Sequence, residues 1–190
     1  MPNGKRRADA ERNITAILDA ALACFGSSPA ASMTEIAAAA GVGRVTLYGH
    51  FPSRDALIGA LMERALAVTA AALDAAEVDE GPADQAVARV VRLAWRHLDR
   101  YRAVLAAATG SGLAPDTIRD RHGAVLDRVD RLVERGQAGG AFRTDLPRSW
   151  LITAFYTLMH AAAQEVDAGR LAAGDAAGVL ERTVLALLRG

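Results

Sequence analysis

The chain has 190 residues, a formal net charge of zero and a single cysteine, Cys24. One cysteine excludes an internal disulfide and a metal site built from several thiolates. With no net charge, affinity for a polyanion would require a local basic patch. The composition favours helix through its abundant alanine, leucine and arginine, so we predict an all-α protein of about nine helices.

The first predicted helix runs from about Asp9 to Phe25, where apolar residues recur at helical spacing. The preceding residues, Met1 to Ala8, are polar and basic, and we expect them to be mobile and outside the helix. They include the cluster Lys5 to Arg7, which is as compatible with a solubilising tail as with a DNA-contacting arm.

The segment Ser32 to Phe51 predicts two short helices joined by a tight turn. Ser32 and Glu35 have the spacing of a capping box, which marks the start of a helix. Gly41 is typical of a helix end that turns through a left-handed backbone conformation. Leu47 is predicted to lie in the core. The outer face of the second helix therefore carries Arg44, Val45, Thr46, Tyr48 and His50. A short helix with cationic, hydroxyl and aromatic groups suits the major groove of DNA.

The remaining helices follow from turn signals and apolar periodicity. Pro52 ends the second short helix, and Ser53 is the predicted N-cap of the next one. The later helices are predicted over about 53–76, 83–108, 116–135 (a short helix followed by a longer one), 148–168 and 176–188. No window of about 18 uninterrupted apolar residues occurs, so the sequence indicates no membrane span and no membrane partner.

Residues 12–62 resemble the DNA-binding domain of the TetR family of bacterial transcriptional regulators. The resemblance rests on ILDAALACF (17–25), SMTEIAAAAGV (32–42) and TLYGHFPSRDAL (46–57), and the loop GQAGGAFRTDLP (136–147) is similar to the C-terminal half of the family. It implies a three-helix helix-turn-helix domain over 1–52 and a helical ligand-binding and dimerisation domain over 53–190. It also implies a homodimer that represses transcription until a small-molecule effector releases it, and we expect the operator to be palindromic. We further expect a cytoplasmic protein without a cofactor.

The same resemblance implies a set of DNA contacts. Arg44, Val45 and Thr46 would approach base edges or the adjacent backbone. The implied phosphate contacts are Thr34, Tyr48, His50 and Arg54, the last at a position where the family usually has lysine.

Two glycines depart from the family pattern. Gly43 and Gly49 stand where side chains are usual, so the second short helix has few groups that can read bases. Sequence recognition would then depend on Arg44, Thr46 and the shape of the DNA.

The second half of the chain carries most of the aromatic residues, which could line an apolar pocket with a few polar groups. Our ligand-binding candidates are Trp95, Leu98, Tyr101, His122, Leu126, Phe155 and Met159. The last two helices are apolar enough to form a dimer interface, although one intramolecular core would also explain them. Our dimer candidates are Leu151, Leu158, Val179, Leu180, Val184 and Leu187.

Two alternatives stay open at this point. One is a dimeric DNA-binding regulator that responds to no ligand. The other is a small helical enzyme with His122 or His160 as base, but no catalytic spacing supports it and we name no catalytic residue. His97, His122 and His160 lack metal-binding spacing, so we predict no metal site. They lie on separate predicted helices, which leaves their convergence in the fold open.

Overall fold

The computed structural model describes residues 2–75, 80–109 and 119–190, and every regular element in these ranges is an α-helix. The helices are α1 (Pro2–Ser27), α2 (Met33–Ala39), α3 (Arg44–His50), α4 (Arg54–Ala75), α5 (Ala83–Thr109), α6 (Gly123–Ala138), α7 (Arg148–Asp167) and α8 (Ala173–Arg189). The all-α prediction is confirmed. The short helix expected at the start of 116–135 falls largely outside the described residues.

The chain forms two compact units, Met1–Arg64 with Tyr101–Ile118, and Ala65–Arg100 with Arg119–Gly190. The first three turns of α4 belong to the first unit, and Leu57, Ile58 and Leu61 in them are completely buried. The compact boundary therefore lies within α4, later than the boundary that we predict after residue 52.

Helix α1 is longer than expected, since it begins at Pro2 and includes the basic residues that we expected to be mobile. Proline is well tolerated as the first residue of a helix, where its missing N–H has no partner to lose. An ion pair between Arg12 and Asp9, one turn apart, joins side chains of α1 just after this extension. Further along, Ile17, Ala21 and Phe25 are fully buried and anchor α1 in the first unit.

Helix α6 also runs further than predicted and ends at Ala138. The chain then turns through Gly140, whose φ is 71°. The ring of Phe142 lies against Gly136, so that a Cβ at Gly136 would stand 2.0 Å from Phe142 Cδ2. Glycine at 136 is thus required by a close approach inside the second unit.

Two ion pairs join α8 to the first half of α5 within the second unit. Arg92 Nη1 lies 2.7 Å from Glu181 Oε2, and Arg189 Nη2 lies 2.5 Å from Asp84 Oδ2. These pairs are largely exposed, so the stability of the unit depends more on its buried apolar residues.

Within the described residues, α4 alone is long and apolar enough to cross a membrane, judged by length and composition. Core helices of folded proteins share these properties. Because its first turns carry completely buried residues, we interpret α4 as a core helix.

Candidate nucleic-acid interface

The start of α2 is fixed by the predicted capping box. The backbone N–H of Glu35 donates to Ser32 Oγ at 3.3 Å, and the backbone N–H of Ser32 donates to Glu35 Oε2 at 2.7 Å. The Ser32 hydroxyl donates to the same Oε2 at 2.7 Å. The backbone N–H of Ser32, and after it this hydroxyl, hold the pKa of the Glu35 carboxyl below its usual value. The capping box is confirmed, and it leaves Thr34 exposed in the first turn of α2.

The turn between α2 and α3 depends on one glycine. Gly41 has φ 67°, a left-handed conformation that residues with a Cβ rarely adopt. The backbone N–H of Val42 donates to Ala37 O at 3.1 Å, which satisfies a carbonyl at the end of α2. Gly41 thus sets the direction in which α3 leaves the turn.

Helix α3 has one buried face and one open face. Leu47 is completely buried, whereas Val45, on the opposite side of the helix, is 89% exposed. Arg44 is also exposed, Tyr48 is 41% exposed, and Thr46 and His50 are partly exposed. Of the three residues predicted to approach base edges, Arg44 and Val45 lie on the outward surface of α3 and Thr46 is only partly exposed. We call this outward surface the α3 face (Arg44, Val45, Tyr48 and Gly49).

The charge of this surface is sparse. Arg44 is the only arginine or lysine of α3, and His50 is the basic residue of its last turn. Arg7 is exposed on α1, whereas the side chains of Lys5 and Arg6 lie outside the described part of the chain. Any attraction for phosphate would therefore come from a few local groups, as expected for a chain with no net charge.

Arg54 has a role that the sequence did not predict. Its guanidinium lies 5.0 Å from the centroid of the Phe25 ring, a cation–π arrangement. It donates to Pro29 O through Nη2 and, at 3.5 Å, to Ala31 O through Nε. Arg54 therefore ties the start of α4 to the loop between α1 and α2. No local signal could have revealed this, because the acceptors lie 25 and 23 residues away in sequence.

The ligand-binding candidates do not all lie in one compact unit. Trp95, Phe155 and Met159 are buried in the second unit. Leu98, His122 and Leu126 are partly exposed in that unit. Tyr101 is buried in the first unit. The pocket itself stays a prediction.

Three aromatic rings of the second unit form a cluster. Only one of them, His122, is among the predicted ligand-binding residues. We call the three rings the ring cluster (His122, Tyr156 and His160). The centroid of His122 lies 5.2 Å from those of Tyr156 and His160, and Tyr156 and His160 are 4.3 Å apart. The spacing of four residues between Tyr156 and His160 on α7 was the signal available in the sequence.

Arg119 extends the ring cluster with a cation. Its guanidinium lies 5.1 Å from the centroid of Tyr156, and its Nη2 donates to Thr153 Oγ1 at 3.1 Å. Burial, together with the nearby His122, lowers the pKa of His160 to about 4, and burial raises the pKa of Tyr156. At neutral pH the His160 and Tyr156 rings are thus uncharged beside one fixed cation.

The dimer candidates fall into two groups. Leu151, Leu180 and Val184 are buried within the single chain, so the structure assigns them to its own core and leaves them little surface for a partner. Leu158, Val179 and Leu187 keep partial exposure. Trp150 is 58% exposed at the start of α7 and was not among the candidates. The predicted interface is therefore narrowed to the partly exposed residues of α7 and α8.

Metal binding has no support in the described residues, where no three His, Cys, Asp or Glu side chains are grouped to hold an ion. His122 and His160 do come together, but His97 is not part of the ring cluster.

Residues 17–61 match the model of a family described as bacterial regulatory proteins, tetR family. The chain is 33% identical over 151 residues to the HTH-type transcriptional repressor LfrR of Mycolicibacterium smegmatis, covering 80% of this chain and 77% of that protein. It is 26% identical over 157 residues to the HTH-type transcriptional regulator NfxB of Pseudomonas aeruginosa, covering 83% and 84%.

Among solved structures, one similar fold is the TetR-like transcriptional regulator LfrR from Mycobacterium smegmatis in complex with proflavine. Its TM-score is 0.71 at 26% identity, over 94% of this chain and 97% of that chain.

Proposed function

Because the chain belongs to the TetR family and is a DNA-binding transcriptional regulator rather than an enzyme, we propose that it represses transcription as a cytoplasmic homodimer on a palindromic operator. We further propose that a small molecule releases it from the DNA. The α3 face is the observation that supports operator binding, because its most exposed residue, Val45, lies opposite the buried Leu47.

In the proposed complex, α3 of each subunit enters a major groove. Two such helices must lie about one turn of DNA apart, roughly 34–36 Å, to read the two halves of a palindrome. In this proposal Arg44 and Val45 contact base edges, and Thr34 and Tyr48 contact phosphates. Base contacts give specificity, whereas phosphate contacts give orientation and salt-dependent affinity.

Selection of binding sites from a random DNA pool tests this assignment. The wild-type protein should enrich a palindrome, and Arg44→Ala should lose the preference at one base pair per half-site, where a bidentate contact discriminates by about 1–3 kcal/mol. Arg96→Ala is the matched control, since Arg96 is an exposed arginine of α5 outside the α3 face. Failure of the wild type to enrich any sequence would refute operator binding. An unchanged preference in Arg44→Ala would refute only the role of Arg44.

For the effector we propose a planar aromatic molecule held beside the ring cluster. Stacking between aromatic rings supports this class, and the similar LfrR structure contains proflavine, a planar aromatic dye. Arg119 also favours an acidic group on the ligand, since it adds a positive charge beside Tyr156.

The two ligand types can be compared directly. Proflavine and 2-naphthoate should each be titrated against the protein and against its complex with the selected DNA. We expect binding and release of the DNA by at least one of them, and weaker binding by Tyr156→Ala. If Arg119 favours an acid, Arg119→Gln should weaken the naphthoate and spare proflavine. Binding that Tyr156→Ala leaves unchanged would place the effector elsewhere.

A homodimer would supply the two α3 helices that the two halves of a palindrome require. The exposed Trp150 and the partly exposed Leu158, Val179 and Leu187 support an interface on α7 and α8. A stable interface of this kind should bury more than about 1,000 Å² in total.

A further inference from the structure

Gly49 lies in α3 at a position where the chain itself has no need of glycine. Its φ is outside the positive region in which Gly41 lies. A Cβ built at Gly49 would have no heavy atom within 4 Å, in contrast to the crowded position at Gly136. Glycine in a helix is unfavourable, because it loses more conformational freedom on folding than any other residue. Neither backbone conformation nor packing therefore explains its presence in a helix of only seven residues.

The position of Gly49 on α3 indicates why glycine is present there. It follows Val45 by four residues, so the two lie one above the other on the same side of α3. Leu47, on the opposite side, is completely buried and fixes which side faces outward. Gly49 is exposed, and it adds no side chain to the α3 face beside Val45.

We propose that Gly49 allows the backbone of α3 to lie in direct contact with the DNA, closer than any residue with a Cβ would permit. Close approach at this point brings the methyl groups of Val45 to a base edge, and the thymine methyl is the apolar group that the major groove presents there. Gly49 is thus a positioning residue for DNA recognition, and Val45 reads the thymine. The inference rests on the proposed operator binding and adds to it the reason for the missing side chain.

The substitution Gly49→Ala should have opposite effects on the free and the bound protein. The free protein should gain stability, with Tm higher by about 1–4 °C, because alanine is the better helix former. Affinity for the selected operator should fall about tenfold or more, since a methyl group forced into a packed interface displaces the helix. Gly49→Leu should lower the affinity further.

Gly26→Ala is the matched control. Gly26 is also the next-to-last residue of its helix, lies in the first unit, and has no heavy atom within 4 Å of a built Cβ. It should give a similar rise in Tm and leave the operator affinity unchanged. Replacing thymine by uracil at each operator position should weaken the wild type at one position per half-site and leave Val45→Ala unaffected at that position.

Two results would overturn the inference. One is operator binding by Gly49→Ala within twofold of the wild type. The other is a lower Tm for Gly49→Ala, which would show that the fold itself requires glycine. Both differ from a failure of operator binding, which would appear as a wild-type protein that enriches no DNA sequence.

Discussion

Replacing Arg54 with alanine separates two roles for this side chain, a phosphate contact and a structural tie. In the structure the guanidinium packs over Phe25 and donates to the carbonyl oxygens of Pro29 and Ala31. Hydrogen bonds to a charged group contribute about 1.5–3 kcal/mol, and an exposed cation–π contact about 0.5–1 kcal/mol. Arg54 is only partly buried, so water replaces part of what is lost. We expect Arg54→Ala to destabilise the protein by about 2 kcal/mol, which lowers Tm by about 4–8 °C.

The phosphate role has a different signature. Each neutralised phosphate adds about 0.9 to the slope of log affinity against log salt, so loss of Arg54 from both subunits of a dimer would reduce the slope by about 1.8. Binding should then weaken on all DNA sequences alike. Thermal unfolding followed by circular dichroism measures the first effect, and fluorescence anisotropy with labelled operator over a range of salt concentrations measures the second.

Two further variants make the result unambiguous. Arg44→Ala removes an exposed arginine of the α3 face, and it should change DNA binding without lowering Tm. Arg54→Lys keeps the positive charge but lacks the planar fork that reaches two acceptors, so Tm should fall while the salt slope stays near that of the wild type. If Arg54→Ala leaves Tm within about 1 °C of the wild type, the structural tie contributes nothing and the reasoning from these contacts is wrong.

Three other perturbations test the second unit. Gly136→Ala should lower the free energy of unfolding, measured in urea, by about 1–3 kcal/mol, because its Cβ would stand 2.0 Å from Phe142 Cδ2. In a Phe142→Ala background this loss of stability should largely vanish, and an equal loss there would refute the clash. Because the pKa of His160 falls from 6.5 to about 4 on folding, the unfolded state binds the proton more tightly, and stability should decline as pH falls from about 6.5 to 4, by about 2 kcal/mol at pH 5. His160→Gln should flatten this pH dependence, and an unchanged profile would assign it to other groups. Leu187→Glu should give a folded monomer in size-exclusion chromatography with light scattering, whereas Leu180→Glu should unfold the chain, since Leu180 is buried. A Leu187→Glu protein that stays dimeric would move the interface elsewhere.

The sequence by itself determined the features that depend on neighbours within about one helical turn. The capping box of Ser32 and Glu35, the left-handed turn at Gly41 and the cap of α4 by Ser53 all appear as predicted. These interactions join residues three to five positions apart, so spacing is enough to identify them. The outward orientation of the α3 face follows in the same way, because helical geometry fixes which residues lie opposite Leu47.

Tertiary structure alone decided which distant groups cover each side chain. Arg54 carries the same charge whether it faces phosphate or the carbonyl oxygens of a loop, and only the folded chain brings Pro29 to it. Leu180 and Leu187 look alike in the sequence, yet the fold buries the first in the chain and leaves the second partly exposed. The physical reason is that apolar periodicity shows that a face is to be covered, but burial is equally favourable against the same chain or a second copy.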